Sequence, residues 1–198
     1  AGCWSCEQVT RALTRFADVA VAGAVNWLLE EAVEAGKLTP QAGCAASDGY
    51  TVLAMGKHGA GELNYSSDID LIVLYDPEKM PPEQRDKAAQ LYVRITRSLA
   101  GILQDRTGDG YVFRIDLRLR PDPRATQIAI AIDAAENYYA SMGQNWERAA
   151  MIKARAVAGD LALGQAFLKH LTPFVWRKYL DFAAIADVQS LKRQMHAH

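Results

Sequence analysis

The chain has 198 residues, half of them hydrophobic and 23% charged, which is enough apolar material to bury a sizeable core and too much for a disordered tail. Its 22 lysines and arginines nearly cancel 23 aspartates and glutamates, so no global field argues for bulk nucleic-acid or membrane binding, and any basic site has to be local. No apolar run reaches the roughly 18 residues needed to span a bilayer, and the N-terminus lacks a charged region followed by a signal-like core, so the expectation is a soluble cytoplasmic protein.

In chain order, Cys3 and Cys6 have C-x-x-C spacing, but zinc would need two more ligands and only Cys44 and scattered histidines remain. From Glu7 to about Gly36, Leu13, Phe16, Val19, Val21, Val25, Leu28 and Leu29 recur near helical spacing, which predicts one or two helices stopped by GKLTP. YTVLAMG predicts a strand over Tyr50 to Met55, followed by a permissive connection through Gly56, Gly59 and Gly61. DIDLIVLYD predicts a second strand with Ile69, Leu71 and Val73 on one face and Ile72 and Leu74 on the other, the mark of a central position. Pro81 and Pro82 open a long amphipathic helix with Ala88, Leu91, Tyr92, Ile95, Leu99, Ile102 and Leu103 in one stripe.

YVFRIDLRLRP then alternates with period two, which places Arg114, Asp116, Arg118 and Arg120 on one face of a third strand. After irregular PDPRATQ, Asp133 with Glu136 reads as a D-x-x-E helix start. Helices are predicted over Asp133 to Ser141, Asn145 to Ala158 (closed by Gly159) and Asp160 to His170, with a last helical stretch from Pro173. In the second of these, Arg148 and Arg155 fall on one face, seven residues apart, with Trp146 and Lys153 nearer another. The fold class expected is α+β: a small mixed sheet with flanking helices. Residues 1–130 form the core with its N-terminal helix, and 131–198 form a helical C-terminal part. The chain starts in mid-stride and ends in LKRQMHAH, apparently inside a helix, so it reads as a piece of something longer.

The chemistry concentrates at the mouth of the second strand. Alternate strand residues point the same way, so Asp68 and Asp70 project from one face about 7 Å apart along the backbone. Two carboxylates that close repel, and burial makes this worse, so a cation offsets their cost best. Oxygen-only ligands suit magnesium or manganese, and Asp116 on the neighbouring strand is the natural third ligand. Upstream, MGKHGAGELNYSSD provides backbone N–H groups that a polyphosphate can approach closely. It does not fit G-x-x-x-x-G-K-[ST], because Lys57 precedes the later glycines. Ser66 and Ser67 either bind phosphate or cap the turn, and Arg118 and Arg120 either clamp phosphate or pair with the acids. His58 beside the glycine turn either touches phosphate or is a bland exposed histidine and is assigned no role, whereas His170, His196 and His198 have no partner at ligand spacing and read as surface residues.

Met55-Gly56, the D-x-D and a distant strand aspartate resemble the nucleotidyltransferase superfamily, although Lys57 stands where many members have serine or glycine. MGKHGAGELNYSSDIDLIVLYD, FRIDLRLRP and YYASMGQNWERAAMIKARAVAGD together resemble the bacterial bifunctional glutamine synthetase adenylyltransferase/adenylyl-removing enzymes, from about Tyr50 to Asp160. The resemblance implies a polymerase beta-like sheet and a nucleotidyltransferase activity. One half of such enzymes attaches AMP from ATP to a tyrosine of glutamine synthetase; the other removes it by phosphorolysis, giving ADP. ELNYSSDIDLI and GQNWERAAMIKAR look more like the removing half. The resemblance also implies that Asp68, Asp70 and Asp116 hold the magnesium or manganese ions, with Asp116 as a candidate base. Gly56, Lys57, Ser66, Ser67, Arg118, Arg120, Arg148, Lys153 and Arg155 are the candidate nucleotide and phosphate contacts. The partners implied are glutamine synthetase, an adenine nucleotide, inorganic phosphate and, through the full-length protein, a PII-type regulator. Neither nucleic acid nor membrane is expected as a partner. Two alternatives stay open: the adenylylating half, and a binding or regulatory fragment that has lost catalysis.

Overall fold

The computed structural model describes residues 3–41 and 43–176. The continuation beyond Pro173, with His196 and His198, lies outside the described residues. A single helix, α1 (Cys6–Glu34), occupies the N-terminal region. It starts at a capping box in which the Ser5 hydroxyl accepts from Gln8 N–H (3.2 Å) and Gln8 Oε1 accepts from Ser5 N–H (2.7 Å). By length and composition α1 is apolar enough to cross a membrane, its best window having a mean hydropathy of 1.2, whereas the count of apolar runs expected no such segment. Ala17, Val21, Val25, Leu28 and Leu29 of α1 are buried in the core.

The chain then forms β1 (Tyr50–Ala54), a short α2 (Gly56–Ala60) and β2 (Ile69–Tyr75). Two 3-10 turns, Pro77–Lys79 and Pro82–Lys87, lead into α3 (Ala88–Gln104). Next come β3 (Ile115–Asp116), β4 (Ala129–Ala131), α4 (Ile132–Ser141), α5 (Asn145–Met151), β5 (Arg155–Gly159), α6 (Leu161–His170) and α7 (Thr172–Val175). The sheet is mixed, in the order β3-β2-β1-β5. β1 runs antiparallel to β2, from Tyr50 opposite Tyr75 to Ala54 opposite Leu71. The short strands β3 and β4 both lie parallel to β2, β3 beside Ile69 and Asp70 and β4 beside Val73 to Tyr75.

β2 is apolar on both faces because both are covered. Ile69, Leu71, Val73 and Tyr75 join Tyr50, Val52 and Ala54 under α1 and α3, while Ile72 and Leu74 join Leu53 and Met55 under α4, α6 and α7. This matches the expected central strand and the mixed sheet between flanking helices.

Three expectations are corrected. The helix expected from Asn145 to Ala158 stops at Met151, and Arg155–Gly159 is an edge strand antiparallel to β1, with a bulge between Val52 and Leu53. Residues on both sides of position 130 therefore share one sheet. The strand expected through FRIDLRLRP is ordered only at Ile115–Asp116, because the Asp116 carboxylate accepts from Arg118 N–H (2.8 Å) and turns the chain. β4, between the irregular PDPRATQ and Asp133 where no element was expected, leads directly into α4, so that helix starts one residue before Asp133 and is capped by no side chain.

Candidate active site

The carboxylates meet where β3 joins the start of β2. Asp70 stands in register with Asp116 on the parallel strand, and Asp68 precedes the strand on the same face as Asp70. Asp70 is half-buried against the glycine turn: Gly56 has φ +52°, and a Cβ there would run into Asp70 Oδ2. The two elements are further tied by Met55 N–H donating to Asp70 C=O (2.9 Å). Only glycine combines that backbone angle with that closeness at low cost.

The electrostatics divide the three acids. Burial, followed by the charges of Asp116 and Asp68, pushes the Asp70 carboxyl up to about 6, with Arg118 and Lys57 opposing the rise. Hydrogen bonding to Arg118 holds the Asp116 carboxyl below its ordinary value. Asp68 is ion-paired to Arg114, whose guanidinium also donates to Ser66 C=O (2.7 Å). Asp68, Arg114, Asp116 and Arg118 line an open cleft of about 650 Å³ with Gln104 and Arg106 at the end of α3.

The donor set is all oxygen and carries a surplus of negative charge on Asp70, the chemistry that suits a divalent ion. Among the described residues no three His, Cys, Asp or Glu side chains converge on one point as metal ligands. Arg114 and Arg118 instead supply the positive charge for Asp68 and Asp116. Both arginines are largely exposed, with 52% and 83% of their side chains accessible, so they can yield to a cation without disturbing the core.

The other expected contacts divide. Lys57 is exposed beside the acids, and its charge reaches Asp70. Asn64 Oδ1 gathers the turn before the acids, accepting from Ser67 Oγ (2.7 Å) and Ser66 N–H (3.1 Å). Arg120 holds its own loop, donating to Leu117 C=O (2.7 Å) and Pro123 C=O (2.9 Å), while its charge still reaches Asp116. Lys153 pairs with Glu62 (3.2 Å), and Arg148 donates to Asn145 Oδ1 (3.1 Å) within α5. Arg148 and Arg155 lie on no common helix face, since Arg155 opens β5. Its guanidinium reaches Asp18 and the carbonyls of His58 and Gly59.

Two buried polar residues stand outside the expected contacts. His58 is fully buried rather than exposed, with Nε2 2.8 Å from Asp18 Oδ1. Glu147 of α5 is also buried, accepting from Gln144 N–H (2.7 Å) and the Tyr138 hydroxyl (3.2 Å). The capping-box pattern Gln144-x-x-Glu147 was the only available signal for Glu147; nothing near His58 points to Asp18.

A mixed sheet whose central strand carries Asp70 with Asp68 just before it, whose parallel neighbour adds Asp116, and whose glycine turn abuts Asp70 defines a nucleotidyltransferase-like domain. The family described as Glutamate-ammonia ligase adenylyltransferase matches residues 1–170. The chain is 59% identical over 97% of its length to the bifunctional glutamine synthetase adenylyltransferase/adenylyl-removing enzyme of Rhizobium meliloti (strain 1021). It is 56% identical over its full length to the enzyme of that name from Caulobacter vibrioides, and 56% identical over 99% of its length to that of Xanthobacter autotrophicus. It spans about a fifth of the length of each of these relatives. This chain belongs to the glutamate-ammonia ligase adenylyltransferase family.

Proposed function

We propose that this chain is the adenylyl-removing catalytic domain of a bifunctional enzyme and releases AMP from a tyrosine of glutamine synthetase by metal-dependent phosphorolysis. The observation that carries the catalytic reading is the registered pair Asp70 and Asp116 on parallel strands, with Asp68 on the same face. The removing direction rests on ELNYSSDIDLI and GQNWERAAMIKAR, and the names of the relatives cover both activities.

In this reaction an oxygen of monohydrogen phosphate attacks the AMP phosphorus in line with the tyrosine oxygen. The phosphorus–tyrosine bond breaks, ADP forms, and the proton of the phosphate ends on the tyrosine oxygen. Asp68, Asp70 and Asp116 are the residues that would hold a magnesium or manganese ion, which would supply the charge neutralisation that lets one anion approach another. Asp116, kept ionised by Arg118, is the carboxylate suited to take the proton in passing. Arg118 is exposed enough to swing from Asp116 to a phosphate oxygen, and Lys57 adds a positive charge beside the glycine turn. Asp70→Asn is expected to lower turnover at least about 100-fold while the circular dichroism spectrum is unchanged. Full activity in that variant would show that the site is misassigned.

A further inference from the structure

Around the short helix of the glycine turn lies a closed polar ring built from three distant segments. Asp18 comes from the middle of α1, His58 from α2 and Arg155 from the start of β5. His58 Nε2 and Arg155 Nη2 both lie 2.8 Å from Asp18 Oδ1, and Arg155 donates onward to His58 C=O and Gly59 C=O, each at 3.2 Å. His58 Nδ1 is buried and has no hydrogen-bond partner among the described residues. That pattern fits a neutral imidazole whose Nε2–H donates to Asp18, and burial lowers the His58 pKa in the same sense.

A five-residue helix has too few internal hydrogen bonds to hold itself, and its last carbonyls need outside donors. Arg155 supplies them. Gly59 leaves no slack, because a Cβ there would meet the backbone oxygens of Lys153 and Ala54. At its other end α2 begins at Gly56, which abuts the Asp70 carboxylate. A shift of α2 is therefore a shift of the wall that seats Asp70 and of Lys57. The fold itself has other anchors in this region: Ala17, Val21 and Val25 of α1 are fully buried, and Leu63 N–H donates to Thr14 Oγ1 (3.2 Å).

We propose that Asp18, His58 and Arg155 are positioning residues that hold the Gly56–Gly61 turn in register with Asp70 for adenylyl transfer. This rests on the catalytic reading above. Oδ1 of Asp18 makes both contacts, so Asp18→Asn retains the acceptor and Asp18→Ala removes it.

The test compares these two variants in amide hydrogen exchange and in ADP release from adenylylated glutamine synthetase with magnesium and phosphate. The turn is reported by the N–H groups of Gly59, Gly61 and Glu62, which donate to Met55, His58 and Lys57 carbonyls. In Asp18→Ala these three should exchange about 10-fold faster while β1 and α3 keep their protection, and kcat should fall about 10- to 100-fold. Asp18→Asn should restore both to within about 3-fold. Faster exchange across the whole sheet would mean a merely structural role and overturn the proposal, as would an unchanged kcat in an active protein. Should the unsubstituted chain neither release ADP nor transfer AMP, the reading of its activity fails and binding decides the ring. Asp18→Ala must then weaken manganese-dependent binding of AMP, followed by paramagnetic broadening, about 10-fold, and unchanged binding overturns the proposal.

Discussion

Asp70 sits where a carboxylate is costly. It is half-buried, has Asp68 and Asp116 for neighbours, and has its carboxyl pushed up to about 6. A raised carboxyl pKa means that the native state binds the proton more tightly than the unfolded chain does. Stability is therefore lost as pH rises from about 4 through about 6 and stays lost above that window. Asn carries no charge and escapes this penalty. In the presence of a chelator, Asp70→Asn should melt higher than the parent at pH 8, by the equivalent of about 1–3 kcal/mol, and at nearly the same temperature at pH 4. Equal melting at pH 8 would show that Asp70 is not strained by its neighbours. The D-x-D spacing made Asp68 and Asp70 legible in the sequence, because side-chain alternation on a strand is a local rule. The Asp18–His58 contact is not legible, since the two lie 40 residues apart and no local rule links them.

At the scale of elements, β5 shows how a non-local partner overrides a local pattern. Residues 151–159 are rich in alanine with apolar residues at helical intervals, so their own preference is helix. Pairing with Thr51 to Ala54 of β1 makes Arg155–Gly159 a strand instead. Gly159, read as a helix stop, closes that strand with φ +72°, and a Cβ there would run into Tyr50 C=O. Gly159→Ala should destabilise the domain by about 2–4 kcal/mol, measured by urea unfolding. A loss below about 0.5 kcal/mol would mean that the edge of the sheet gives way freely. Gly56→Ala would act differently. It crowds Asp70 rather than the core, so activity should fall at least about 10-fold, far more than the melting temperature suggests. β2 and α3 were legible because a continuous apolar run and a long apolar stripe each specify their own burial.

At the scale of the whole molecule, one sheet serves two purposes. Its covered faces bury Tyr50, Leu53, Leu71 and Leu74, and its uncovered end at β3 gathers the three aspartates that a fully packed position would exclude. Short, half-buried β3 leaves room for charged side chains and an open cleft, whereas central β1 and β2 supply rigidity. The order of the motifs along the chain made this arrangement legible as a family resemblance. The direction of the reaction depends on which anion the cleft prefers, and that is not written in the strands.

The most direct measurement is to incubate the chain with glutamine synthetase carrying labelled AMP on tyrosine, with and without magnesium and inorganic phosphate, and to separate the products. Labelled ADP formed only when both metal and phosphate are present is the result predicted. Absence of ADP, together with transfer of AMP from ATP to unmodified glutamine synthetase, would contradict the removing assignment and give the chain the opposite reaction.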